Sequence, residues 1–370
     1  MTQSPSETLA AYCRELGTRA RTASLELQDL STQVKNRWLS IGAESLRSSR
    51  SSILEANARD LEMAPSYGLT SSAIDRLTLT PDRLDLIERS LLEIAALPDP
   101  VGEIIGGSRR PNGLQIQKVR VPIGVLFFIF ESRPNVTADA AAIAIKSGNA
   151  IILRGGKEAY HSSYAIFQAL ERSAVQAGLP NHALQMVNTQ DRQAVGELLK
   201  LPREIDLVIP RGGESLVRRV TEEATMPVLK HFDGNCHVYV DRFADLDLAL
   251  KVVVNSKTQR MGVCNAAESL VVHSQIAPEF LRSLQAALIP HQIELRGDAR
   301  AILNLPNIRA ASEDDWGREY LGPILSIKTV DSLDQAIAHI NRYGSKHTDA
   351  IITKDLASAR CFAARGDSAV

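Results

Sequence analysis

From Val121 onward the chain repeats one pattern: a short uninterrupted apolar run, a turn, then a segment with apolar residues at helical spacing. Gly124 to Phe130, Ala150 to Leu153, Leu184 to Val187 and Leu207 to Pro210 are the apolar runs. Thr137 to Lys146, His161 to Ala177, Asp191 to Lys200 and Glu214 to Glu223 read as the helices that follow them. An apolar strand without alternation must be covered on both faces, and its alternation with helices predicts a parallel sheet between two helical layers. The second half repeats the logic. His237 to Val240, Leu270 to His273, Ile324 to Val330 and Asp349 to Ile352 are expected strands, with helices at Leu246 to Lys257, Pro278 to Leu288, Leu333 to Ile340 and Asp355 to Ala363. A chain of 370 residues exceeds one ordinary core, so two α/β domains are expected, residues 1–230 and 231–370.

Ahead of this pattern lie expected helices over Thr8 to Ala20, Leu30 to Ile53 and Pro81 to Leu97. Residues 104–122 change character. Apolar alternation through Leu114, Ile116 and Val119 flanks a turn at Asn112-Gly113, which predicts a β-hairpin arm of the kind that pairs with another chain. A net charge of −1 gives no polyanion-binding surface, so nucleic acid is not expected as a partner. The longest apolar run, Val121 to Phe130, is about half a membrane span, so no membrane association is expected. The first residues, with Pro5 and Glu7, do not read as a signal peptide. Cys13, Cys236, Cys264 and Cys361 are far apart, without a Cys-x-x-Cys pair. That spacing argues against structural zinc and disulfides and fits a cytoplasmic location.

Chemistry concentrates where strands end. The helix over about Asp245 to Lys257 gives way to a polar connection containing Gly262, and the β-branched run from Leu270 opens a strand. Cys264 lies in that connection, where a thiol can face a cleft and act as a nucleophile, although a small apolar filler would suit the position too. Three strand ends in the first half carry polar residues: Glu131-Ser-Arg133-Pro-Asn135, Arg154-Gly155-Gly156-Lys157 and Arg211-Gly212-Gly213. Ligands of open parallel sheets bind beyond the carboxyl ends of the strands. Paired glycines there let backbone N–H groups approach a phosphate, although a plain tight turn uses the same residues. No Gly-x-Gly-x-x-Gly occurs. Arg154 and Lys157 would suit the 2′-phosphate of NADP, since an NAD site usually offers a carboxylate.

Several longer runs carry a resemblance: Val119-Arg-Val-Pro-Ile-Gly-Val125, Phe130-Glu-Ser-Arg-Pro-Asn-Val136, Lys146-Ser-Gly-Asn-Ala-Ile-Ile-Leu-Arg-Gly-Gly-Lys157, Ile209-Pro-Arg-Gly-Gly213, Gly234-Asn-Cys-His-Val-Tyr-Val-Asp241 and Val263-Cys-Asn-Ala266. Together they resemble the glutamate-5-semialdehyde dehydrogenases, or γ-glutamyl phosphate reductases, a branch of the aldehyde dehydrogenase superfamily. The likeness runs over essentially the whole chain. It implies an aldehyde-dehydrogenase-like α/β fold: two doubly wound parallel-sheet domains, NADP-binding over 1–230 and catalytic over 231–370, with the hairpin as an oligomerisation arm. It further implies an NADPH-dependent conversion of γ-glutamyl phosphate to the semialdehyde and phosphate, a step of proline biosynthesis, with Cys264 as the catalytic cysteine.

On that resemblance Cys264 carries a thioester, and its backbone N–H and the Asn135 amide are the expected oxyanion donors. Arg133, with Arg211 as second choice, is expected to hold the substrate's carboxylate or phosphate. Arg154, Gly155, Gly156, Lys157, Gly212 and Gly213 are the expected cofactor residues. Glu319, in Glu319-Tyr-Leu-Gly-Pro323, resembles the glutamate that holds the nicotinamide ribose. Hydrolytic relatives place a water-activating glutamate near Lys230 to Gly234; here His231 takes that place, which suits exchange with phosphate and assigns His231 to the substrate pocket. No metal is expected. A homo-oligomer is expected for a complete chain, with glutamate 5-kinase a further partner. The family continues past Val370, so this 370-residue form is expected to be truncated and less stable. A CoA-acylating aldehyde dehydrogenase, or an inactive subunit that binds only nucleotide or a partner chain, are the alternatives.

Overall fold

The structure, a computed structural model, describes residues 5–230 and 234–370. The chain divides into two compact units, Met1–His231 and Phe232–Val370. In the first unit α1 (Pro5–Gln28), α2 (Thr32–Ser48), α3 (Arg50–Met63), α4 (Ser71–Leu77) and α5 (Pro81–Ala96) come before any strand. Each of α2, α4 and α5 starts on a hydroxyl N-cap, Ser31, Thr70 and Thr80, and α5 has Pro at its first turn. The single helix expected over Leu30 to Ile53 is two helices, with Ser49 closing α2 and opening α3. Serine hydroxyls explain the break: Ser48 Oγ and Ser52 Oγ donate to the carbonyls of Ser45 and Ser49, competing with the helical ladder. The first helix is also longer than the expected Thr8 to Ala20.

The hairpin follows as β1 (Ile104–Arg109) and β2 (Gln115–Val119), antiparallel and exposed along both strands. Arg110 and Gly113 make the turn, Gly113 at φ +87°. Then β3 (Val125–Phe130), α6 (Val136–Lys146), β4 (Ala150–Gly155), α7 (Tyr160–Ala177), β5 (Leu184–Met186), α8 (Gln193–Leu198), β6 (Leu207–Arg211) and α9 (Glu214–Glu223) alternate as expected. The four strands are parallel, in the order β5-β4-β3-β6. Every residue of β4 is buried, as in a strand covered on both faces. Strand order runs from β3 outward to β5, then reverses to β6. The switch point, where such sheets take ligands, therefore lies between the carboxyl ends of β3 and β6. Trp38, Phe127, Ile152 and Leu170 belong to the core of this unit, with the Trp38 indole donating to Leu170 O at 3.2 Å.

The second unit comprises β7 (Cys236–Val240), α10 (Leu246–Thr258), β8 (Ala267–His273), α11 (Ala277–Leu288), β9 (Glu294–Gly297), α12 (Ala299–Asn304), β10 (Arg309–Ala310), β11 (Ile324–Val330), α13 (Leu333–Tyr343), β12 (Asp349–Ile352) and α14 (Leu356–Arg365). Its six strands form one parallel sheet in the order β10-β9-β11-β8-β7-β12. The sequence did not announce β9, α12 and β10, since each is short and β10 is an edge strand. Strand β8 also begins three residues earlier than its β-branched run, taking in the buried Glu268. Among the described residues no helix is long and apolar enough to cross a membrane.

Candidate functional site

In the second unit, Asp245 caps α10 by accepting from Leu248 N, and the helix ends at Thr258. The following loop carries Cys264, half-buried, into β8. Three contacts fix this loop. Ala266 N donates to Val263 O at 3.1 Å, closing a turn around the cysteine. Cys236 Sγ donates to Cys264 O at 3.2 Å. Gly234 packs so closely that a Cβ there would fall on the Cys264 carbonyl. Gly234 N in turn donates to Glu319 Oε1 at 2.9 Å, so one glycine brings the Cys264 and Glu319 segments together.

The base of the same loop is held by an ion pair. Lys257 Nζ and Glu268 Oε2 are 2.6 Å apart, and both side chains are fully buried. Burial pushes the Glu268 carboxyl up and the Lys257 ammonium down, each opposed by the other's charge. The second Glu268 oxygen accepts from Leu321 N at 3.0 Å, two residues from Glu319. Leu321 has φ +50°, a left-handed backbone that a bulky side chain disfavours. The other thiols are in different settings: burial pushes Cys13 up to about 11 and Cys236 up to about 12, whereas Cys361 is on α14 with Arg365 against its sulfur.

In the first unit a cavity of about 330 Å³ opens at the switch point. Ile129, Val195 and Leu216 give it apolar walls, and Arg154, Lys157, Arg192 and Arg219 face Glu131 and Glu158 across it. Arg154 belongs to β4 and is only 7% exposed, so it is not a solvated loop cation. Its guanidinium donates to Gly155 O and to Gln190 O, and its Nε has no partner among the described atoms. Lys157 Nζ lies 4.5 Å from the centre of the Tyr67 ring. Glu158 accepts from Ser132 N at 2.7 Å and from its hydroxyl at 3.0 Å, holding Ser132 at φ +46°. Glu131 accepts from Gly213 N at 2.9 Å, so the N-terminus of α9 already holds an anionic oxygen. A Cβ at Gly212 or Gly156 would collide with the Glu131 or Glu158 carboxylate respectively, which is why glycine stands at both positions.

Of the residues singled out from sequence, Arg154, Gly156 and Lys157 share the cavity wall. Gly155 is the last residue of β4 behind it, and Gly212 and Gly213 meet its edge through Glu131. Arg133 and Asn135 lie on the loop leading into α6 and Arg211 ends β6; none of these three lines the cavity. One amide N–H of Asn135 donates to Asp139 Oδ2 at 3.0 Å. Cys264 and Glu319 are gathered around Gly234 in the second unit. His231 lies outside the described residues. Sequence reasoning missed Lys257 and Glu268, and it missed Gln190, Arg192 and Arg219. A lysine at a helix end and arginines on exposed helical turns carry no local signal. Only Glu268, a charge inside an apolar run, could have been suspected. Among the described residues no group of three His, Cys, Asp or Glu side chains is placed to hold a metal.

The model of the aldehyde dehydrogenase family matches residues 10–299. The chain is 52% identical over 363 residues to a gamma-glutamyl phosphate reductase of Rhodopirellula baltica, covering 98% of this chain and 84% of that one. The crystal structure of a gamma-glutamyl phosphate reductase from Thermotoga maritima superposes with a TM-score of 0.92 at 41% identity, covering 96% of this chain and 86% of that one. That of Saccharomyces cerevisiae gives 0.56 at 31% identity, covering 96% and 90%.

Proposed function

The chain belongs to the aldehyde dehydrogenase family and, within it, to the gamma-glutamyl phosphate reductases; on that premise we propose that it reduces L-glutamate 5-phosphate to L-glutamate 5-semialdehyde and phosphate in proline biosynthesis. The Cys264 thiolate attacks the acyl carbon, the bond from that carbon to the phosphate oxygen breaks, inorganic phosphate leaves, and a thioester remains on the sulfur. NADPH, when bound, supplies the hydride that takes the thioester to the aldehyde level. The protein's part is to hold each oxyanion with the Cys264 backbone N–H and with the Asn135 amide N–H that Asp139 does not take. Arg133, with Arg211 as the second candidate, holds the substrate's carboxylate or phosphate.

The first unit's cavity fits an anionic dinucleotide. It lies at the switch point, has apolar walls for an adenine, and sets four cations against two carboxylates. Arg154, Gly155, Gly156 and Lys157 would hold the adenosine end, and Gly212 and Gly213 the pyrophosphate in place of the Glu131 carboxylate. In the second unit, Glu319 is the proposed ribose-binding carboxylate. The orphaned Arg154 Nε supports an anionic occupant. The exposed hairpin supports a homo-oligomer, which a monomeric mass in light scattering would refute. The lability of an acyl phosphate supports glutamate 5-kinase as a close supplier, and four free cysteines support a cytoplasmic enzyme.

The observation that carries this reading is 52% identity along nearly the whole chain, joined to one half-buried thiol on a braced loop. Its test generates γ-glutamyl phosphate in situ and follows NADPH absorbance. The parent chain is expected to consume NADPH, Cys264→Ala to consume none, and peptide mapping to place an acyl adduct on Cys264. A parent chain that leaves NADPH untouched would refute the proposal.

A further inference from the structure

The cavity at the switch point has four cationic side chains, and three of them are already committed. Arg154 donates to Gly155 O and Gln190 O, which ties the end of β4 to the loop that follows β5. Lys157 sits on the Tyr67 ring. Arg219 is paired along α9 with Glu223, Nε to Oε1 at 2.8 Å. Arg192, two residues beyond Gln190 and immediately before α8, makes no hydrogen bond or ion pair with any described residue. The neighbouring Asp191 accepts from Gln193 N at 2.8 Å through Oδ1 and forms no ion pair with Arg192.

Position and charge then point the same way. In an open parallel sheet the group beyond the second strand of the winding order meets the adenine ribose: a carboxylate for a free 2′-hydroxyl, an arginine for a 2′-phosphate. That strand is β4, and Glu158, the carboxylate nearest its end in sequence, lines the cavity with its Oε1 taken by Ser132 N and Oγ. The strand beside β4 is β5, so its loop brings Arg192 alongside the same spot, held there through the Arg154–Gln190 contact. Burial lowers the basicity of Arg154, and the like charge of Arg192 adds to this, opposed by Glu158, Asp191 and Glu131. Two guanidinium groups on the wall of one cavity favour a dianion inside it.

We propose that Arg192 reads the 2′-phosphate of the cofactor and thereby sets the preference for NADPH over NADH. The proposal rests on the dinucleotide reading of this cavity given above. Its test is titration of the full chain with NADPH and, separately, NADH, for the parent, Arg192→Ala, Arg192→Lys and Arg219→Ala. Arg192→Ala is expected to weaken NADPH binding by about tenfold to a hundredfold, the worth of a charged hydrogen-bonded pair, and to leave NADH binding near its parent value. Arg192→Lys, which keeps the charge without the planar fork, is expected to recover part of the loss. Arg219→Ala is expected to keep the parent's ratio of the two affinities. An unchanged ratio in Arg192→Ala, or a ratio that collapses in Arg219→Ala instead, overturns the proposal while leaving the cofactor reading intact. A parent chain that binds neither dinucleotide overturns both.

Discussion

At position 234 the missing side chain matters more than any side chain could. A Cβ there would fall on the Cys264 carbonyl and come within 2.8 Å of the Glu319 carboxylate. Because the first of these is backbone, it cannot swing aside as a long side chain would, and the loop carrying the thiol must shift. Displacement of a reacting group by about 1 Å can cost about a hundredfold in rate. Gly234→Ala is accordingly expected to lower kcat by about that factor while changing KM for γ-glutamyl phosphate far less. Steady-state kinetics checks this, and a variant with parent kcat would show that the Gly234 contact does not position the thiol. The requirement for glycine is set by the Cys264 backbone lying where a Cβ would stand. It comes from close approach of a second segment, which no reading of neighbours in sequence could show.

Among the elements, two loops share one device. Ser132 follows β3 and Leu321 precedes β11, both are non-glycine residues with left-handed backbone, and each has its N–H held by a glutamate, Glu158 and Glu268 respectively. Such backbone persists where the surroundings over-determine it, and it clusters at functional loops. Glu268 also pairs with Lys257, so the end of α10, the start of β8 and the turn before β11 meet on one buried carboxylate. Glu268→Gln leaves the Lys257 charge buried without a counter-ion and is expected to destabilise the fold by about 3–5 kcal/mol. Lys257→Met combined with Glu268→Gln removes that charge, keeps a carbonyl oxygen for Leu321 N, and is expected to regain most of the loss. Urea titrations of the two variants decide it; equal instability of single and double variants would refute the account.

For the molecule as a whole, pH acts on stability through a buried imidazole in the second unit. His339 on α13 packs against Trp316, Tyr343 and the His237 ring, while His237 Nδ1 is 2.9 Å from Asp349 Oδ1. Burial, with the nearby His237 adding to it, pushes His339 down to about 3, whereas in the unfolded chain it titrates near about 6.5. Between those values the unfolded chain binds a proton that the folded chain does not. Its contribution is therefore complete above about pH 6.5 and drains away as the pH falls, by up to about 1.4 kcal/mol per pH unit. His339→Phe is expected to flatten the decline of Tm between about pH 6 and 4 relative to the parent; parallel declines in thermal melts would refute it. At the same scale, the alternation of apolar strands and helices was legible from Val121 to Ala363 apart from residues 294–310, because each residue's exposure in a parallel sheet or an amphipathic helix leaves a periodic mark on its own neighbours. The loop carrying Cys264 was legible for the same reason, as a polar break between a helix and a strand. The sequence by itself thus determined two parallel α/β sheets, a hairpin and a cysteine in a connection. Only the tertiary structure decided that Glu268 serves two loops, that Arg154 is spent on backbone carbonyls while Arg192 is left unpaired, and that residue 234 must be glycine. Those facts are set by contacts between residues 11 to 85 positions apart, and sequence periodicity carries no trace of a partner that far away.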